Sequence, residues 1–271
     1  MNIALIYFSA TNNTQEIASI IKNELLKLEN HVTEFNITNI NERERTINFQ
    51  EFDAVYFGFP VYYWRAPRIA REWLLNLNGH GKTCSVFFTY GGTNIGICHH
   101  DIIERLKNQN FKVIATAEFL ARHSFNLAGW EAMKDHPNEE DYKIAREYAL
   151  KTFLKFSDDK ANPIKFEKPD FSEDFVDNIE LTTRRSIPLP SREGKECSMC
   201  RDCETLCPTN AMNADKGKPS RKKCIRCLRC VLNCPDQVLK VKDMSAQFHY
   251  LKKKLNLTDD VLRSRKSKFF L

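Results

Sequence analysis

The chain contains no apolar run of the roughly 20 residues needed to span a bilayer. The stretch Met1–Tyr7 lacks the charged region and cleavage site of a secretion signal. There is no G-x-G-x-x-G after an expected strand, so NAD(P)H is not the obvious electron donor. Cysteine is nearly missing from the first two-thirds: of ten, only Cys84 and Cys98 precede residue 197. Together these absences argue against a membrane span, a secreted disulfide scaffold and a dinucleotide enzyme. The expected class is a soluble cytoplasmic protein in a reducing compartment, where crowded thiols bind metal more often than they pair. With 271 residues, 42% of them apolar, the chain has room for two packed domains.

Residues 1–157 alternate between short apolar runs and amphipathic stretches. Strands are expected at Ile3–Phe8, Ala54–Phe57, Ser85–Thr89 and Val113–Phe119, with a weak edge strand at His31–Phe35. Helices are expected over Ile17–Leu28, Ala66–Leu77, Ile95–Lys107 and Asp141–Phe156. This alternation predicts a doubly wound parallel sheet. Residues 158–190 mix charge with proline and read as a linker carrying one short helix near Ser172–Asn178. A cysteine-rich domain follows over 191–245, then a helical, basic tail over 246–271 whose default state is a solvated terminus.

The remaining eight cysteines form two runs. Cys197, Cys200, Cys203 and Cys207-Pro208 repeat the spacing of Cys224, Cys227, Cys230 and Cys234-Pro235, each C-x2-C-x2-C-x3-C-P. That is the spacing of bacterial [4Fe–4S] sites. Two-residue gaps let one tight loop wrap three corners of a cube, and the fourth cysteine then points to the other cube. Cys197, Cys200, Cys203 and Cys234 are therefore assigned to one cluster, and Cys224, Cys227, Cys230 and Cys207 to the other. Structural zinc also uses C-x2-C, but has no use for the third cysteine or the C-P repeat.

The formal charge of +6 divides into −1 over residues 1–157 and +7 over the rest. Each thiolate-ligated cluster brings about −2, so much of the surplus balances buried anions and does not call for nucleic acid. Arg201, Lys222, Lys223, Arg226 and Arg229 either raise cluster potential, dock an acidic partner or form a solvated face.

Three loops follow expected strands. Ser9-Ala10-Thr11-Asn12-Asn13-Thr14 opens a helix, which suits a phosphate or merely a cap. Pro60, Tyr62, Tyr63 and Trp64 supply an aromatic wall, although packing is the commoner role for any one of them. Tyr90, Gly91, Gly92 and Thr93 supply a glycine-lined edge. In an open α/β sheet such loops converge where strand order switches, and this set suits a flat ring bearing a monophosphate. His123, after the fourth strand, belongs either near that ring or on the surface; adjacent His99 and His100 point apart on a helix and make a poor metal site.

Residues 1–157 resemble flavodoxins, residues 197–240 resemble two-cluster bacterial ferredoxins, and the whole chain is similar to flavodoxin–ferredoxin fusions. The resemblance implies an α/β flavodoxin-like sheet of order 2-1-3-4-5 plus a small α+β 2[4Fe–4S] domain. It implies FMN, with Ser9, Thr11, Asn12, Asn13 and Thr14 at the phosphate. Pro60, Tyr62, Tyr63 and Trp64 would flank one side of the ring, and Tyr90, Gly91, Gly92 and Thr93 the other. The family usually has Gly where this chain has Asn12, and often at Ala10; Asn tolerates the positive φ such a turn needs. The function implied is electron transfer between two clusters, FMN and a redox partner protein, donor or acceptor, of acidic character. The alternatives are a flavin-dependent reductase of a quinone, nitro compound or peroxide, and a redox sensor.

Overall fold

The computed structural model describes residues 1–158, 160–167, 169–194 and 196–271. Five parallel strands, β1 (Asn2–Tyr7), β2 (His31–Asn36), β3 (Ala54–Pro60), β4 (Thr83–Tyr90) and β5 (Lys112–Leu120), lie in the order 2-1-3-4-5. β1, β3, β4 and β5 are buried on both faces, so their sequences are apolar without alternation. Helices α1 (Asn13–Lys27) and α5 (Glu139–Phe156) cover one face, where Ile17, Ile21, Leu25, Ala145 and Ala149 pack on Ile3, Leu5 and Tyr7. Short α2 (Ile40–Glu44) follows β2. Helices α3 (Arg68–Leu74) and α4 (Cys98–Asn108) cover the other face, packing Ala70, Leu74, Ile102 and Leu106 on Ala4, Ile6 and Phe8. Each fully buried Ile, Leu or Phe stabilises this sandwich by roughly 1.5–3 kcal/mol.

The segment read as a linker carries a longer helix than expected. Helix α6 (Glu173–Ser186) runs fourteen residues, capped by Ser172 Oγ accepting from Phe175 N–H. It is pinned by ion pairs: Asp177 to Arg65 at 2.7 Å, and Glu180 to Arg68 and Arg71 at 2.9 and 2.5 Å. These carboxylates and arginines are far apart in sequence, so periodicity alone could not reveal the clamp.

The cysteine region folds as two matching halves. β6 (Ser191–Arg192) pairs antiparallel with β9 (Leu239–Lys240), and β7 (Met212–Asn213) with β8 (Lys218–Pro219). One-turn helices α7 (Asp202–Thr205) and α8 (Arg229–Leu232) carry the third cysteine of each run. Left-handed residues recur at equal offsets: Met199, Arg201 and Asn210 in the first half, Arg226, Leu228 and Gln237 in the second. The same backbone path is thus built twice from different side chains.

The tail does not stay solvated. After α9 (Ser245–Lys254) and α10 (Asp259–Arg263), strand β10 (Lys268–Phe270) joins β5 antiparallel and covers that sheet edge. Ser267 Oγ donates to Asp141 at 2.5 Å and accepts from Leu120 N–H at 2.8 Å, which holds the strand in register. Among the described residues no helix is long and apolar enough to cross a membrane.

Candidate functional site

Strand order reverses at β1, which sits between β2 and β3, and the loops beyond the C-terminal strand ends meet there. They enclose a cavity of about 370 Å³. Of the residues singled out from sequence, Ser9, Thr11, Asn13, Thr14, Pro60, Tyr62, Tyr90 and Gly91 line it. Ala10, Val61, Thr89, Ala121, Arg122, His123 and Ser124 line it too. The loop after β5 is thus a fourth wall, signalled in the sequence only by His123.

The first loop is shaped for an anion. Asn12 takes φ 67°, the left-handed turn for which Gly is the usual choice. The first intrahelical bond of α1 runs from Glu16 N–H to Asn12 O, and Gln15 N–H donates to Ser9 Oγ. The amides of residues 11–14 therefore precede the helical ladder at the positive end of α1. Thr14 Oγ1 lies 2.7 Å from Thr89 Oγ1, tying this loop to the end of β4. Asn13 donates to Arg122 O at 2.8 Å, while its buried Oδ1 has no partner among the described residues.

The other walls are held by packing and by a hydrogen bond within the loop after β5. His123 Nδ1 accepts from Phe125 N–H at 3.1 Å, and its ring lies 4.5 Å from that of Trp130. Burial lowers its pKa to about 4, so the imidazole is neutral near pH 7. Gly91 presses against this ring: a Cβ there would sit 2.5 Å from His123 Cδ2.

Not every expected ring contact faces the cavity. Tyr63 and Trp64 occupy the corners of a tight turn, both at positive φ, closed by hydrogen bonds between Tyr62 and Arg65. Tyr63 lines a second cavity with Arg68, Glu180 and Arg184, and Trp64 packs on Phe171 at 5.6 Å. Gly92, at φ 71°, lies against Met133, and neither it nor Thr93 lines the cavity. The turn folds its two tips away from the sheet, a direction that residue spacing does not encode.

The eight cysteines gather as two crossed sets. Cys197, Cys200, Cys203 and Cys234 line one cavity of about 370 Å³, with Met199 and Pro235. Cys207, Cys224, Cys227 and Cys230 line another of about 330 Å³, with Pro190 and Leu228. The first set is outer, with Cys200 exposed; in the second, inner set Cys224 and Cys227 are buried. Burial raises the Cys227 thiol to about 12, with Cys224 and Cys207 adding to the effect, and raises Cys230 further. Neutral thiols are thus favoured in this enclosed set. Ala211 N–H points at Cys207 Sγ at 3.2 Å. Among the described residues no three His, Cys, Asp or Glu side chains converge on a point that would hold one metal ion. His99 is buried against Thr116 and Glu118, whereas His100 faces Phe166 O, so that pair does not converge.

The inner set abuts the loop cavity. Cys227 belongs to the same buried cluster as Phe8, Ala10 and Phe59, with Tyr62 and Ile225 packed on it. Leu228 joins Tyr90, Leu120 and Trp130. Arg226 turns inward to Cys224 O at 2.6 Å, and Arg229 reaches Ser9 O at 2.9 Å, so neither belongs to a solvated face.

Residues 33–123 match the family model described as Flavodoxin. This part of the chain is flavodoxin-like. An uncharacterized protein of Methanocaldococcus jannaschii is 28% identical over 158 residues, covering 56% of this chain and 98% of its own. A flavodoxin from the domain Archaea is 17% identical, with a TM-score of 0.44 over 58% of this chain and all of its own. Flavodoxin 2 from Bacillus cereus is 19% identical, with a TM-score of 0.44 over 57% of this chain and 99% of its own.

Proposed function

We propose that the protein is an iron–sulfur flavoprotein that transfers electrons between two [4Fe–4S] clusters, FMN and a redox partner protein. The observation that carries this reading is the crossed gathering of eight cysteines into two four-thiol cavities, one of them against the loop cavity of the flavodoxin-like domain. A single ion would draw four sulfurs to within about 4 Å of one another, given metal–sulfur bonds of about 2.3 Å. Among the described residues no three side chains converge as one ion would require, and the doubled C-x2-C-x2-C-x3-C-P spacing suits a larger core.

The residues fit both groups. The free amides of residues 11–14, with Ser9, Thr11 and Thr14, would hold the phosphate of FMN. Asn13 Oδ1 is an acceptor awaiting a donor. Tyr62, Tyr90 and Gly91 would face the ring. Bound there, FMN exchanges one or two electrons and each cluster exchanges one. The chain sets order and access: Cys200 reaches solvent, Cys224 and Cys227 are enclosed, and Tyr62 stands between Cys227 and the loop cavity. Exposed Lys222 and Lys223 suit an acidic partner, and a transfer rate falling steeply with salt is the expected sign.

The test is cofactor content after oxygen-free purification. About eight irons, matching sulfide and one FMN per chain are expected. A colourless preparation holding zinc and no flavin would overturn the reading.

A further inference from the structure

We infer that Arg229 is a shared cation that couples the inner cluster to the flavin site; this deepens the function proposed above and rests on it. Arg229 opens α8 directly after left-handed Leu228. Arg229 helps line the inner thiol cavity beside Cys227 and Cys230. From there the guanidinium crosses to the other domain. Nη1 donates to Ser9 O at 2.9 Å, where the phosphate loop begins, and Nη2 lies 3.5 Å from Asn39 Oδ1.

Both partners are neutral oxygens, and Nε is buried with no partner among the described residues. Arg229 shares the wall of the inner cavity with Cys207 and Cys227. A half-buried guanidinium without a carboxylate is costly. Arg65, Arg68 and Arg71, which follow Tyr62 in the chain, each have one. Arg229 stands instead between two places that each receive negative charge: the thiolates on one side and the phosphate loop on the other. A fixed cation there favours an added electron at either site. It also ties the cluster-bearing segment to the loop, so filling one site orders the wall of the other. Arg229 is thus a positioning residue that acts on potential.

The test compares reduction potentials of the fully loaded protein with those of Arg229→Gln, Arg229→Lys and Asn39→Asp. In Arg229→Gln the flavin and the inner cluster should each become about tenfold harder to reduce in the one-electron equilibrium, which is 59 mV. The outer cluster should not move. Arg229→Lys, which keeps the charge, should restore most of both values. Asn39→Asp changes an exposed side chain and sets a carboxylate beside the guanidinium, so it should lower the same two potentials if Arg229→Gln fails to load. Potentials unmoved in the variants at full iron and FMN content would overturn the coupling while leaving the electron-carrier reading intact. Wild-type protein without FMN or iron would overturn that reading itself.

Discussion

Arg71 Nη2 lies 2.5 Å from Glu180 Oε2, with both side chains only 7% exposed, although 109 residues separate them. Burial pulls the Arg71 pKa down, and Glu180 opposes that shift. Glu180 also holds Arg68 at 2.9 Å, so one carboxylate of α6 serves two arginines of α3. Glu180→Gln keeps the volume and removes the charge. It should destabilise the protein by about 3 kcal/mol, the lower part of the range for breaking a buried pair. Urea unfolding would measure this. A loss below about 0.5 kcal/mol would reduce the clamp to an ordinary surface pair.

The hydroxyl contact between Thr14 and Thr89 joins the loop after β1 to β4 at 2.7 Å. Both residues line the loop cavity. Thr14→Val keeps the shape but deletes this bond, worth about 1 kcal/mol, and removes a hydroxyl from the cavity. FMN affinity should fall about fivefold to tenfold, read by fluorescence quenching on adding FMN to flavin-free protein. Unchanged affinity would mean that the amides of residues 11–14 suffice.

The five-stranded sheet was legible because β1, β3, β4 and β5 are apolar runs punctuated by Asn, Gly and Pro loops. The division of the cysteines between two cavities follows a spacing that the sequence writes twice. What escaped depends on contacts distant in sequence. Glu180 looks like any helical acid until Arg71 stands opposite. The basic tail carries Phe269 and Phe270, yet nothing local says they add a strand to β5. Tyr63 and Trp64 read as ring contacts because they follow Tyr62, but a turn with two positive φ values points them elsewhere. His123 lacked a motif, and only the meeting of four loops brings it to the cavity.

His136 and Asp141 link the start of α5 to the C-terminal strand. Their side chains meet at 2.6 Å, and Asp141 also accepts from Ser267 Oγ and Asn138 N–H. The hydrogen bond to Asp141 raises the His136 pKa above its usual 6.5. Burial pushes Asp141 up, but bonds from His136, Ser267 and Asn138 outweigh it and hold it below 3.8. The histidine contribution is full below about pH 6.5 and is lost as pH rises through the raised value. The carboxylate contribution is full above about pH 4 and is lost as pH falls through the lowered value. Compared with His136→Gln, the wild type should therefore gain most stability near pH 5–6 and less above pH 8. An equal gap at pH 5.5 and pH 8.5 would remove the charged histidine from the account.

Crossed ligation makes a prediction that sequential ligation cannot share. Cys234 lies in the second run but lines the outer cavity with Cys197, Cys200 and Cys203. Cys207 lies in the first run but lines the inner one with Cys224, Cys227 and Cys230. Replacing Cys197 and Cys234 together by serine touches both runs yet only the outer set. Iron should fall from about eight to about four per chain, with FMN retained, because the inner set beside Tyr62 keeps its four thiols. Replacing Cys197 and Cys207 together stays within the first run yet touches both sets, so both clusters should be lost or degraded. Iron analysis with electron paramagnetic resonance of the reduced protein distinguishes the two patterns. If the first pair abolishes both clusters and the second only one, each run ligates its own cube and crossed ligation does not hold.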